Sequence, residues 1–593
     1  MIRTPLRPLA RVLRARERGE DPSRIEAENL RLRNEANADR ARARAEGRLL
    51  LLGLAFTVAF GAVGVRMGAL AATVPDEQRV AAEGRAINGQ RADILDRNGR
   101  VLATNFATHA LYAQPRQMIE PDRAARELAA IFPDLDEERL KKDFNGSRSF
   151  VWVRKRISPE QMQMVHDIGS PGLLFGPREM RLFPNGPVAA HILGGARFDN
   201  EGVSSADVVG TAGVERLFDA RLRDPAQASA PLKLSLDLTV QAATEEVLAG
   251  GMALMNAKGA ASVLMDVHTG EVLALASLPD FDPNTRPTPL TKGDRSDDPL
   301  FNRAVQGLYE LGSTFKIFTV AQAMELGQVN PTTLIDTKGP LMFGRQRIRD
   351  FHRMDPQMTV EDVIAESSNV GTARIALNIG ANRQREFLAG LGLTDPTGIE
   401  LTEAASGKPL LPPRWGEVTT ATVSYGHGIS VSPLHLAQAY ATIANGGRLV
   451  TPTLLAGGSV PGVQVMRPEV ARRSVAMLRR VVTEGTASMG DVAGYEVAGK
   501  TGTADKPKPT GGYYSDRTIT TFASVFPASD PKYVLIVTLD EPVQTIGDEP
   551  KRTAGWTAVP VAAEMIRRIA PLLGLRPAIE PVDTAGVTLT ANR

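Results

Sequence analysis

The chain has 593 residues, 43% of them hydrophobic and 23% charged, a globular composition that excludes a disordered or collagen-like protein. Lysine and arginine number 69 against 67 acids, so the net charge of +2 offers no chain-wide basic surface for nucleic acid. The absence of cysteine excludes disulfides, thiolate metal sites, iron–sulfur clusters and cysteine nucleophiles together.

Residues 1–48 carry 13 Arg and no Lys against 8 acids and read as a solvated cytoplasmic tail. So many arginines also suit RNA, but no aromatic residue interleaves with them to stack bases. Leu49–Val65 (LLLLGLAFTVAFGAVGV) is 17 residues without a charge, the lower limit for a bilayer span. Residues 29–48 hold six Arg and 66–85 hold three. That asymmetry predicts a transmembrane anchor over 49–70 with the N-terminus inside. The rivals are a buried core helix and a cleaved signal peptide, with Ala69-Leu70-Ala71 as the cleavage site.

Residues 71–230 form a mixed α/β region expected to act as a pedestal. Arg91–Asn105 has the pattern of a hairpin turning at Asn98-Gly99, and Ala125–Phe132 and Pro159–Ile168 read as helices. From 231 to 575 the pattern is more regular. Asp237 is a candidate N-cap for a helix over Leu238–Met255. Ala260–Asp266 and Glu271–Ser277 are apolar strands joined at His268-Thr269-Gly270. A second pair, Ile519–Phe526 and Tyr533–Leu539, flanks Ser529-Asp530-Pro531. Helical runs fall at 313–326, 360–377, 383–391 and 434–445, and Val559–Leu573 closes the region. Hairpins at both ends with helices between them predict an α+β fold, an antiparallel sheet packed on helices. Residues 576–593 are expected to be a loose tail.

Three short motifs carry chemistry. Ser313-Thr314-Phe315-Lys316 opens a helix that is apolar nearly all round, hence buried; serine and lysine at i and i+3 share a face. Gly312 permits the tight turn before it, and Ser313 gains the positive end of the helix dipole. Alone the tetrad is weak evidence, because Ser529-Asp530-Pro531-Lys532 repeats it in a hairpin turn. Ser367-Ser368-Asn369 follows a helical run ending at Glu366, and Lys500-Thr501-Gly502-Thr503 lies in an apolar-alternating strand. All three in this order, on helix start, loop and strand, form a strong constellation.

In these motifs the sequence resembles the penicillin-binding protein and serine β-lactamase superfamily, over nearly the whole chain after residue 80. The context Asn302–Lys316 fits, with Leu311 where proline is common. Arg91–Gly99 (with Ala92 for a frequent glycine), Arg181-Leu182-Phe183-Pro184, Ala190-His191, Ala212–Glu215 and Phe218-Asp219 resemble class B transpeptidases. Tyr425–Gly428, Asn445-Gly446-Gly447, Gly511-Gly512-Tyr513 and Thr553–Trp556 resemble the division-specific FtsI type. Residues 75–230 are too short to add a glycosyltransferase, which disfavours a bifunctional class A enzyme.

Serine is a poor nucleophile until a base takes its proton, and Lys316 is the only base on its helix face. Burial and the like charge of Lys500 would lower its pKa. The resemblance implies the rest: Ser313 attacks the bond between two D-alanines of a peptidoglycan stem peptide, in an oxyanion hole of the Ser313 and Thr503 N–H groups. It also implies that Ser367 relays a proton, that Asn369 holds the acyl amide, and that Lys500, Thr501 or Thr503, around Gly502, bind the terminal carboxylate. β-Lactams would acylate the same serine. No cofactor is expected, and the seven His show no metal-ligand spacing. His109, His191 and His427 are read as structural.

The expected setting is the inner membrane, single-pass, with the catalytic domain periplasmic, beside a membrane glycan polymerase and other divisome proteins. Alternatives are an elongation-specific transpeptidase, a membrane-anchored D,D-carboxypeptidase or β-lactamase-like hydrolase, and a catalytically silent division scaffold. Ser368, where many hydrolytic relatives have Asp, speaks against the hydrolase. The intact Ser313, Lys316 and Lys500 speak against the scaffold.

Overall fold

The computed structural model describes residues 6–19, 21–72, 91–201, 206–227, 230–508, 510–546 and 549–578. The chain divides into two compact units, 1–86 and 87–593. In the first, the helix Leu6–Glu17 is followed by the long helix Pro22–Ala72, which contains the apolar run. Residues 51–66 are exposed along its length, Leu51 by 69% and Phe60 by 71%. Among the described residues no helix is long and apolar enough to cross a membrane, and the side chains of 36–50 and 67–72 lie outside them.

The second unit begins with a five-stranded sheet. Val101–Ala113 is flanked by Val151–Ile157 and Leu173–Leu182, and Ile94–Leu95 pairs both with it and, in parallel, with Leu232–Lys233. The hairpin extends past Asn105 to Ala113, because its second strand pairs with Leu173–Leu182 along Thr104–Ala113 and with Val151–Ile157 along His109–Ala113. A helix over Pro121–Ile131, opened by its proline, adds Leu128 to a core with Leu111, Phe132 and Phe144.

Segments far apart in sequence meet here in a buried ion cluster. Arg91 reaches Glu215 at 2.6 Å and Asp219 at 2.7 Å, and Arg181 reaches the other oxygen of Glu215 at 2.6 Å. Glu215 is fully buried, so its charge is compatible with folding only because two guanidiniums oppose it. The Asn98-Gly99 turn also docks on the next region: Asn98 and Arg100 each donate to Asp237 at 2.8 Å.

Asp237 caps α1 (Leu238–Leu254), accepting from the Thr239 and Val240 N–H groups. The main sheet comprises β1 (Gly259–Asp266), β2 (Val272–Leu278), β3 (Ala498–Pro507), β4 (Tyr513–Phe526) and β5 (Tyr533–Asp540). Their order is β3-β4-β5-β1-β2, antiparallel throughout. Every residue of β2, and all but one end residue of β1 and β5, is buried, which explains runs that are apolar rather than alternating. On one face α1 packs with the C-terminal helix Ala558–Leu572; on the other, Pro433–Ala444 packs with Pro468–Thr483. The α+β expectation holds.

Candidate active site

A cavity of about 550 Å³ opens beside the edge strand β3, lined by residues of all three motifs: Ser313; Ser367 and Asn369; Thr501 and Thr503. Ser313 does not sit on an α-helix. It lies in a 3₁₀ turn, Gly312–Phe315, and the α-helix starts at Lys316 and runs to Glu325. A 3₁₀ turn eclipses positions i and i+3, so serine and lysine still project together. Gly312 has φ +56°, and a Cβ there would meet the Thr503 carbonyl at 2.8 Å. A Cβ on Gly426 would meet the Gly312 carbonyl at 2.2 Å. Three backbone segments thus close on Ser313 at distances only glycine allows.

The expected helical run over 360–377 is interrupted. One helix covers Val360–Ala365 and the next Asn369–Ile379, because Ser367 takes a left-handed φ of 63° and Ser368 caps the second helix, accepting from the Gly371 N–H at 2.9 Å. The break lifts Ser367 Oγ into the cavity wall.

Lys316 and Lys500 are both fully buried beneath that wall. Lys316 Nζ donates to the Ser367 carbonyl and, at 3.0 Å, to Ser367 Oγ. Lys500 Nζ donates to the same Oγ at 3.0 Å and to the Thr501 carbonyl and Oγ1 at 3.4 Å each. Burial, then the like charge of Lys500, drives the Lys316 ammonium well below its ordinary value, with Asp350 opposing. Burial alone brings Lys500 down to about 7. Thr501 Oγ1 shares a 2.8 Å hydrogen bond with Thr486, and Thr503 Oγ1 accepts from the Ala554 N–H at 3.0 Å. The Asn369 amide donates to the Arg349 carbonyl at 3.1 Å. The decoy stays apart: Ser529 and Lys532 lie in the turn between β4 and β5, Lys532 facing Asp530 at 3.6 Å.

Several wall residues escaped the sequence reading. Asp350 accepts from Ser368 Oγ at 3.1 and 3.2 Å and from the Asn369 and Val370 N–H groups. Phe351, His352 and Met354 of the same loop line the cavity. His427, read above as structural, stands in the wall, its Nδ1 3.0 Å from Glu310. Glu310 also accepts from the Gly428 N–H at 2.8 Å and the Tyr513 hydroxyl at 2.9 Å, fastening three loops three residues before Ser313. The pairing holds the His427 ring above its ordinary pKa. His191, by contrast, is buried edge-on to Phe281, and burial lowers it to about 4. Among the described residues no His, Asp or Glu group is placed to hold a metal ion.

The family model of the penicillin binding protein transpeptidase domain matches residues 260–566, and that of the penicillin-binding protein dimerisation domain matches 86–227. The chain is 36% identical over 514 residues to a probable peptidoglycan D,D-transpeptidase FtsI of Caulobacter vibrioides, covering 84% of each. It is 31% identical over 525 residues to stage V sporulation protein D of Bacillus subtilis, covering 82% of this chain and 79% of the relative. The crystal structure of penicillin binding protein 3 from Mycobacterium tuberculosis, complexed with aztreonam, superposes with a TM-score of 0.62 at 24% identity. It covers 83% of this chain and 98% of that one, and shares the fold. The chain belongs to the class B penicillin-binding proteins.

Proposed function

We propose that this class B penicillin-binding protein is a serine-type peptidoglycan D,D-transpeptidase whose nucleophile is Ser313. The observation that carries the reading is the convergence of two buried lysines on one serine oxygen beside Ser313. Burial pushes the Lys316 pKa well below its ordinary value, which favours it as the base, and it is the lysine next to the Ser313 turn. Ser313 Oγ attacks the carbonyl between two D-alanines while its proton passes to Lys316. The Ser313 and Thr503 N–H groups hold the developing oxyanion. Collapse breaks the C–N bond; the proton passes through Ser367 to the leaving D-alanine amine, and an acyl ester remains on Ser313. An amine from a neighbouring stem peptide attacks that ester, gives up a proton by the same route, and forms the cross-link as Ser313 Oγ is released.

Asn369 faces the acyl amide, and Lys500 with Thr501 and Thr503 receives the terminal carboxylate. β-Lactams enter as anion-bearing acyl donors, and the mycobacterial penicillin binding protein 3 is complexed with one, aztreonam. The septum is the favoured place of action, on the 425–428, 511–513 and 553–556 runs, with the apolar helix as a single-pass inner-membrane anchor and a membrane glycan polymerase as partner. The test is mass spectrometry after incubation with a β-lactam. The mass of the drug should appear on the Ser313 peptide and vanish in Ser313→Ala; label on Ser529 would overturn the assignment.

A further inference from the structure

The loop between the strand Gln346–Ile348 and the strand Gln357–Thr359 brings a carboxylate against the second motif. Asp350 accepts from the Ser368 hydroxyl and from the Asn369 and Val370 N–H groups, the unpaired donors at the start of an 11-residue helix. Asn369 returns the contact by donating to the Arg349 carbonyl. Ser367, which receives both lysines, is the residue just before this clamp, and its left-handed backbone is a conformation a serine holds only when its neighbours fix it. The motif itself offers two hydroxyls and an amide but no charge.

We propose that Asp350 is a positioning residue for the reaction: from a separate loop it supplies the negative charge that the Ser367-Ser368-Asn369 segment lacks, fixing Ser367 between the two lysines. The inference rests on the reading of Ser313 as nucleophile. The charged groups that act on Lys316 are Lys500, from β3, and Asp350, while Glu366 and His352 pair with each other at 3.5 Å on the cavity rim. Asp350 is thus the one charge in the set that favours the ammonium form of Lys316. Its removal has two consequences with different signatures. A loosened Ser367 slows acylation at every pH. A Lys316 deprived of its counter-charge loses its proton at lower pH, so the ascending limb of the rate moves acidward.

The test is the rate of β-lactam acylation against pH, normalised to the titratable active-site fraction so that any misfolded protein drops out. Acylation of the wild-type chain at Ser313 tests the underlying reading; the comparison of variants tests Asp350. Asp350→Asn, which keeps size and one acceptor, should be acylated about tenfold or more slowly, as displaced catalytic groups are. Its ascending limb should shift to lower pH. Aspartate is itself a good N-cap, so Ser368→Asp added to Asp350→Asn returns the carboxylate to the same helix start. The double variant should recover much of the rate and the original limb. Wild-type rates in Asp350→Asn, a slowed reaction with an unmoved limb, or a double variant no better than the single would each overturn the proposal.

Discussion

Lys500 Nζ lies 3.0 Å from Ser367 Oγ, although 133 residues of chain separate them. The same oxygen takes a hydrogen bond from Lys316, so two amino groups approach one hydroxyl, and among the described residues no buried carboxylate contacts either. Such an arrangement favours loss of a proton from one or both lysines, which is the direction in which burial pushes both.

Stability should report that deprotonation. Lys500 ionises at about 7 when folded and about 10.4 when unfolded, so the unfolded chain binds more protons between those values. The contribution is fully present above the unfolded value and is lost as pH falls towards 7, by of order 1 kcal/mol per pH unit. Lys500→Met should flatten that part of the curve of unfolding free energy against pH. Parallel curves for the two proteins would mean that Lys500 is charged in the native state.

The two lysines should also separate by substrate. Lys316→Ala should nearly abolish acylation even by donors without a carboxylate, because the serine loses its base. Lys500→Ala should harm carboxylate-bearing donors more, because the anion loses its counter-charge. Acylation rates with a matched pair of donors decide it; equal losses for both donors in both variants would contradict the division of labour.

Backbone contact around Ser313 makes a third expectation. In Gly426→Ala the new Cβ would meet the Gly312 carbonyl at 2.2 Å, with φ at +76° besides. The Ser313 turn must shift, and acylation should fall about tenfold or more. Gly457→Ala shares the positive φ but meets nothing within 4 Å, so it controls for strain alone and should acylate normally.

How much of this was legible in the sequence depended on the range of the contacts involved. The strands of the main sheet announce themselves because burial on both faces leaves unbroken apolar runs such as Val272–Leu278. Asp237 is legible because a cap acts on N–H groups two and three residues away. The interruption at Ser367 is local too, but Ser-Ser-Asn reads equally as loop or as helix start, and what decides is a left-handed backbone. Asp350 and Glu310 carry no local signal because their partners lie elsewhere in the chain: Glu310 meets Tyr513 across 203 residues. His427, read as structural, is brought to Glu310 in the cavity wall only by the fold.

That pair has its own titration. With the His427 ring held above its ordinary value by the Glu310 carboxylate, its stabilisation is complete below about pH 6.5 and disappears as pH rises through the folded value. In Glu310→Gln the ring should titrate at lower pH, followed by its proton resonances and assigned with His427→Gln. An unmoved titration would show that the two side chains do not interact in solution.

The ion cluster of the N-terminal sheet bears on stability rather than chemistry. Glu215→Gln leaves Arg91 and Arg181 buried with half their counter-charge gone, a change that costs about 3–5 kcal/mol for broken buried pairs. Denaturant unfolding should show that loss, while Ser313 acylation of the folded fraction stays near wild type. Unchanged unfolding would mean that water or Asp219 compensates.

The complete absence of cysteine makes topology directly measurable. A helix that exposes Leu51, Leu54, Phe56 and Phe60 to its surroundings is poorly matched to water, and the arginines crowd its N-terminal side. Single cysteines introduced as Ala10→Cys and Ser529→Cys give one reporter in the Arg-rich tail and one in the turn between β4 and β5, each the chain's only thiol. In cells whose outer barrier admits a maleimide that the inner membrane excludes, Ser529→Cys should label and Ala10→Cys should not until the inner membrane is opened. The protein should stay with the membrane after a salt wash, since the holding force is apolar burial rather than charge. Labelling of Ala10→Cys in intact cells would overturn the inside placement of the N-terminus, whereas a soluble product beginning near Ala72, which would have lost position 10, would identify the apolar run as a cleaved signal and remove the anchor.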